Sequence, residues 1–346
     1  MSELVIVVIF AVLGLMAHGA RKHRWLEWFI RVVIFITFGS ELFWLFVLTP
    51  EERSNRWLFG VFTVCTVITG LVLLKIARKG MSKVLSAINS LVSGGMIREL
   101  LRRSTGVKAV LLTDPIFLPD SIPHLNGLFL YASTILYLLS NMNPGNDMGA
   151  PSMPLPIPVD LGSLFNYNWV GLMLLSICGA GIFVARKPKE VFVERLGFKR
   201  PTPAQIGIGL GLILFSFTYD LLWSLYTHNT SGDLGGKLLN YNAGTFGVVG
   251  GLAPSVVLAL ATAFCAGMGE ETLIRGALQP MIGIVPAAVL HGVLHGQFAH
   301  APIFILQVAG WSTCMGIVKR YTNTTTTIIG HAGFNLVTVF LFSFNP

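Results

Sequence analysis

Side chains suited to hydrolytic chemistry are concentrated in the last quarter of the chain. Ionisable residues inside a bilayer are functional candidates by default, because burying their charge is costly. Three short segments, "MGEETLIRGALQP" at 268–280, "HGVLH" at 291–295 and "GHAGFNLV" at 330–337, supply Glu270, Glu271, Arg275, His291, His295, His331 and Asn335.

Helical spacing gives the two glutamates different surroundings. Glu271 and Arg275 are four residues apart with the acid first, the favoured order for an ion pair on one helix face. In an apolar setting each would neutralise the other. Glu270 points about a quarter turn away and is the carboxylate that remains for chemistry.

A carboxylate, two imidazoles and a carboxamide from three helices would suit hydrolysis. Glu270 would act as a general base on water. Asn335 lies one turn after His331 and, with an imidazole, would stabilise the developing oxyanion. A purely structural Glu271–Arg275 pair, and histidines that only bond neighbouring helices, are the alternatives.

The composition of the chain predicts that transmembrane helices position these residues. The chain has 346 residues, 53% hydrophobic and 12% charged, with a mean hydropathy of +0.70. We therefore expect an all-α, polytopic transmembrane helical bundle with about eight to ten spans. The apolar runs lie at 2–19, 29–49, 57–77, 123–142, 168–185, 204–226, 247–268, 281–298, 302–318 and 324–343.

The net charge of +8 is explained by basic residues in cytoplasmic loops, so it does not indicate a nucleic-acid partner. With the N-terminus outside, 20 of the 24 Lys and Arg residues are cytoplasmic, three are outside, and Arg275 lies within the motif. The loop 143–167 lacks Lys and Arg and is expected outside. Glu270 then falls near the cytoplasmic end of its span, which would suit a substrate from that side.

The same reading divides the chain in two and excludes a disulfide framework. Residues 1–165 hold about four spans of unknown role. Residues 166–346 hold the spans in which ionisable residues cluster. The four cysteines lie in apolar runs without metal-type spacing. We expect a multi-pass protein of a prokaryotic plasma membrane, in contact with the lipid bilayer.

The three segments resemble the motifs of the CPBP family of intramembrane proteases, also called the ABI family, which includes the CAAX proteases. EExxxR is matched by Glu270, Glu271 and Arg275, and HxxxN by His331 and Asn335. FxxxH is matched at His295, but His291 stands where the family usually has Phe. The resemblance covers roughly residues 190–346.

The resemblance implies an intramembrane endopeptidase of the glutamic type. Glu270 would activate water with help from His295, while His331 and Asn335 would support the oxyanion. Glu271 and Arg275 would shape the site. The expected partner is a membrane protein or peptide: a membrane-anchored, lipid-modified or precursor polypeptide.

Three alternatives remain open. We expect no cofactor, but His291 and His295 have the spacing of zinc-binding helices, and with His331 they could hold zinc. Gly292 occupies the Glu position of HExxH, so that motif is absent. A catalytically inactive scaffold or regulator would not need the complete motif set. A proton-relaying transporter would need polar residues at several depths.

Overall fold

The computed structural model describes residues 3–48, 56–92, 121–141, 159–230, 236, 242–247, 251–295 and 302–344. Within these ranges the chain is helical and contains no β-strand, so the predicted all-α polytopic bundle is confirmed. A helical turn at Glu190–Arg195 links α6 to α7. The helices are α1 (Glu3–Gly19), α2 (Arg24–Val47), α3 (Arg56–Leu73), α4 (Lys75–Val92), α5 (Ile122–Asn141), α6 (Leu161–Gly179), α7 (Pro203–Thr230), α8 (Leu252–Ile282), α9 (Ile284–Leu294), α10 (Pro302–Tyr321) and α11 (Thr324–Phe344).

Fewer helices than expected are long enough to cross a membrane. Of the described helices, α2, α5, α6, α7, α8 and α11 are long and apolar enough. A seventh span results if α3 and α4, which meet at a 108° bend, count as one. The sequence-based number was higher because it included α1, with 17 residues, and α9, with 11, whereas a full crossing needs about 20. It also included α10, which has 20 residues but is not among the helices apolar enough to cross.

The outer surface of the bundle is apolar, as a lipid environment requires. Phe35 and Phe46 of α2 are 65% and 77% exposed, and Leu214 of α7 is 70% exposed. Soluble proteins rarely expose contiguous apolar surface of this extent. These side chains therefore face the bilayer of a multi-pass membrane protein.

The largest hydrophobic cluster joins helices from both halves of the chain. Ile30 of α2 and Leu125 of α5 belong to the same buried cluster as Ile274 and Ile282 of α8. The N-terminal helices thus support the half of α8 that follows the carboxylates. The domain boundary between residues 165 and 166 stays a prediction.

One end of the bundle gathers the basic segments, and we call it the basic end. Lys22, between α1 and α2, donates from Nζ to the carbonyl oxygen of Val184 in the turn after α6, at 3.3 Å. A cavity of about 240 Å³ at this end is lined by Arg195, Lys199, Lys319 and Arg320 among others.

The opposite end is formed by the starts of α6, α8 and α10 and by the ends of α7 and α11. Here the amide of Val159 donates to the carbonyl oxygen of Thr245 at 3.3 Å. The described residues of these helix ends include Asp160 but no Lys or Arg, and Asp220 lies farther inside α7. Around these five helix ends the charge therefore differs in sign from that of the basic end.

Helix α8 has an unusual backbone around the two glutamates. π-Helical turns at Ala263–Met268 and Thr272–Leu278 flank the three α-helical residues Gly269–Glu271. Such turns are frequent at functional sites. They alter the angular spacing of side chains, so an ideal helical projection does not fix the directions of the motif residues.

Close packing at this point requires a glycine. A Cβ atom added at Gly269 would overlap the backbone carbonyl oxygen of Asn168 in α6. Backbone atoms cannot rotate away as a flexible side chain can. The contact between α6 and α8 therefore depends on the missing side chain.

Replacing this glycine should destabilise the protein. We expect Gly269→Ala to lower the free energy of unfolding by about 1–3 kcal/mol, because the helices must separate. Thermal unfolding in detergent measures the change. Gly211→Ala in α7 is the matched control, since a Cβ there meets nothing within 4 Å. Equal melting temperatures for the two variants would contradict the packing argument.

Candidate active site

The buried ion pair predicted within EExxxR is present. Arg275 donates from Nε to Glu271 Oε2 at 3.3 Å, and both side chains are 0% exposed. Because both charges lie deep in the protein, each compensates the other in a medium that would otherwise strongly disfavour them. Oε2 of Glu271 is therefore engaged in the ion pair with Arg275.

A serine connects this pair to the other glutamate. Arg275 donates from Nη2 to Ser312 Oγ of α10 at 2.7 Å, and this oxygen lies 3.0 Å from His291 Nδ1. His291 Nε2 lies 2.9 Å from Glu270 Oε2. An ionised carboxylate can only accept, so Nε2 carries the proton, and in the neutral ring Nδ1 accepts from the Ser312 hydroxyl.

His331 of α11 lies between the two carboxylates. Its Nδ1 is 3.2 Å from Glu271 Oε1, and its Nε2 is 4.0 Å from Glu270 Oε2. The ring packs edge-on against Trp311, with centroids 4.9 Å apart. Glu271 thus accepts from both Arg275 and His331, which fixes the His331 ring with Nε2 towards Glu270.

His295 follows the last turn of α9 and approaches the same carboxylate. Its Nδ1 donates to the carbonyl oxygen of His291 at 2.9 Å, which leaves the lone pair of the neutral ring on Nε2. Within the described part of the chain, donor atoms of Glu270, His291 and His295 lie within 4.8 Å of one another.

That group differs from the zinc set expected from the sequence. His331 was expected with His291 and His295, but its Nδ1 is engaged by Glu271, and Glu270 takes its place in the group. Two histidines and a glutamate form a known catalytic zinc donor set. The donor types fit zinc, although the His291–Glu270 hydrogen bond already uses one donor atom of each residue.

Four of the predicted site residues line one cavity of about 560 Å³: Glu270, His295, His331 and Asn335. Glu271, Arg275 and His291 are 0% exposed and lie behind its wall. A partly exposed carboxylate, two imidazoles and a carboxamide therefore line the same cavity. It can hold water or a substrate carbonyl beside Glu270.

The span that contains Glu270 is longer than predicted. The sequence predicted a span at 247–268 with Glu270 near its cytoplasmic end. The predicted end of the span is wrong, because α8 continues past Glu270 for another 12 residues to Ile282. The cavity extends from Glu270 to the exposed Asp160 and Ser163 at the opposite end of the bundle.

Ser312 is the residue that the sequence did not indicate. A serine in the apolar stretch "GWSTCMG" has no charge and no motif spacing, so nothing distinguished it from an ordinary helix-packing serine. Its neighbour Trp311, in contact with His331, gave no signal either. His300 lies outside the described residues.

Comparison with known proteins adds one finding. Residues 252–337 match the family model named Rce1-like, which is described as "Type II CAAX prenyl endopeptidase Rce1-like". The matched region begins with α8 and includes every candidate site residue from Glu270 to Asn335. No curated protein and no solved structure matches the chain. Over residues 252–337 the chain is therefore similar to the type II CAAX prenyl endopeptidases, which confirms the resemblance drawn from the three motifs.

Proposed function

We propose that the protein is an intramembrane endopeptidase of the glutamic type, acting on membrane-anchored, lipid-modified or precursor polypeptides. The observation that carries this proposal is the convergence of Glu270, His295, His331 and Asn335 on one cavity within the bundle. The family match supports the reaction class. A scaffold would have no need for this convergence.

Glu270 is the general base of the proposed reaction. His291 holds Oε2 through a 2.9 Å hydrogen bond, so Oε1 is the oxygen that accepts the proton of water. The water oxygen then attacks the carbonyl carbon of the scissile peptide bond. A fixed carboxylate oxygen lowers the barrier because its orientation is already set before reaction.

The negative charge that develops on the carbonyl oxygen must be stabilised by hydrogen-bond donors. The carboxamide of Asn335 can donate directly. His331 can donate from Nε2 as an imidazolium, whose charge Glu271 would stabilise at 3.2 Å. When the intermediate collapses, the leaving amine takes the proton from Glu270, directly or through His295 Nε2.

A zinc-dependent version is the second candidate, favoured by the clustering of Glu270, His291 and His295. These three residues would hold the ion, which would supply Lewis-acid activation of water. In the metal-free candidate the Ser312–His291–Glu270 hydrogen bonds place a proton on His291 Nε2, which this atom would have to lose in order to bind zinc.

Removing the base should abolish cleavage without unfolding the protein. We expect Glu270→Gln to reduce kcat by about 10²–10⁴-fold, because the amide cannot take the proton of water. The change is isosteric and keeps an oxygen for the His291 N–H. Cleavage of membrane-anchored reporter peptides by purified, reconstituted protein measures the effect.

Glu194→Gln is the matched control for this variant, since Glu194 is exposed at the basic end. Its activity should equal that of the wild type. Full activity in Glu270→Gln would refute the glutamic mechanism. An inactive wild type with an intact fold would favour the scaffold.

Chelation separates the two mechanisms. We expect activity to survive prolonged treatment with a strong zinc chelator, and elemental analysis to find less than one zinc per chain. The reason is that the hydrogen-bonded network already satisfies His291 and Glu270. Activity that is lost on chelation and restored by zinc would establish the metal-dependent version.

A further inference from the structure

We propose that the site takes its substrate from the extracytoplasmic side, as an extended polypeptide segment carrying a positive charge near the scissile bond. This inference rests on the proposed function and names the substrate class of the same site. It concerns the cavity of about 560 Å³, which we call the substrate cavity.

The side of access follows from the two ends of the bundle. Lys and Arg residues accumulate on the cytoplasmic side of membrane proteins. The basic end contains Arg195, Lys199, Lys319 and Arg320 around its own small cavity. The substrate cavity lies at the opposite end, where exposed Asp160, Ser163 and Tyr167 line it. A substrate that enters past these residues comes from outside the cytoplasm.

The wall of the cavity offers hydrogen bonds that the described residues leave unused. The hydroxyl of Thr262, a residue only 7% exposed, has no hydrogen-bond partner among them. The same is true of Trp223 Nε1 and of the hydroxyls of Thr245 and Thr338. All four residues line the cavity. Buried polar groups of this kind require partners, and an extended peptide backbone supplies both donors and acceptors.

The charge of the cavity selects among peptides. Its described lining contains Asp160, Asp220 and Glu270 but no Lys or Arg. Hydrogen bonds from Ser163 lower the pKa of Asp160 below its usual value, so this carboxylate is negative at neutral pH. Asp220 Oδ1 accepts from Gln307 Nε2 at 2.9 Å, which orients this carboxyl group in the cavity wall.

Aromatic side chains strengthen the preference for a cation. Tyr167 and Trp223 line the same cavity as Asp160 and Asp220. Cations bind favourably to aromatic faces, especially where a carboxylate is near. A free C-terminal carboxylate would instead meet three acidic side chains and no Lys or Arg in the described lining. A lysine, an arginine or an N-terminal amine therefore fits this cavity better than an anionic chain end.

The first experiment determines the side of access. Single cysteines are introduced as Ser163→Cys and Lys199→Cys, both at exposed positions, after replacement of the four native cysteines. A membrane-impermeant maleimide should label Ser163→Cys in intact cells, and Lys199→Cys only after permeabilisation. The reverse pattern would overturn the proposed side of access.

The second experiment tests charge selection in the reconstituted full-length protein. The probe is a library of N-terminally acylated peptides with random sequence, and mass spectrometry identifies the cleaved products. Lys and Arg should exceed Asp and Glu near the cut by about tenfold, since opposite charges in an apolar site discriminate strongly. Asp220→Asn should remove most of this preference, and the control Glu194→Gln should retain it.

The outcomes separate this inference from the proposed function. Cleavage that depends on Glu270 but shows no preference for cations overturns the inference and leaves the protease intact. No cleavage of any peptide by folded wild type overturns the proposed function and this inference with it. Preference that persists in Asp220→Asn overturns the assignment of the charge to this carboxylate.

Discussion

The architecture around the site depends on one buried ion pair, Glu271 with Arg275. Both side chains are fully buried, in a helix that crosses the membrane. Losing either partner of such a pair typically costs about 3–5 kcal/mol, because the remaining charge is left without compensation. The pair does not stand alone: Ser312 accepts from Arg275, and His331 donates to Glu271. These bonds supply the additional partners that a buried charge needs to be tolerated.

The same bonds hold four helices in register. Glu271 and Arg275 belong to α8, Ser312 to α10 and His331 to α11, while His291 of α9 contacts Ser312. In a bilayer, packing and polar contacts bring helices together, since lipid is as apolar as their surfaces. Gly269 contributes by letting α6 approach the backbone of α8 beside Glu270. Polar bonds and close backbone packing therefore fix the position of the cavity together.

Sequence reasoning was most reliable where local spacing determines contact. The Glu271–Arg275 pair follows from a four-residue helical spacing, and the lipid-facing helices follow from composition. The grouping of His295, His331 and Asn335 was expected because polar side chains in apolar spans are functional candidates, and the motif resemblance supported it. No local rule specifies which distant helices meet. The end of the span that contains Glu270 was misjudged because apolar periodicity ends at the charged motif, whereas α8 continues through it. Ser312 was invisible because its role depends on a tertiary contact between two other helices.

His291 changes how the two glutamates should be understood. Motif reasoning gives them separate tasks, one in chemistry and one in structure. With a histidine where the family usually has Phe, the Glu270 carboxylate joins Arg275 through His291 and Ser312, at 2.9, 3.0 and 2.7 Å. His331 connects the two carboxylates a second time, because its Nδ1 bonds Glu271 and its Nε2 lies 4.0 Å from Glu270 Oε2. A change in the charge or position of one carboxylate must then alter the hydrogen bonds of the other. The two glutamates act as one network, in which the structural pair sets the orientation and proton positions on which Glu270 depends.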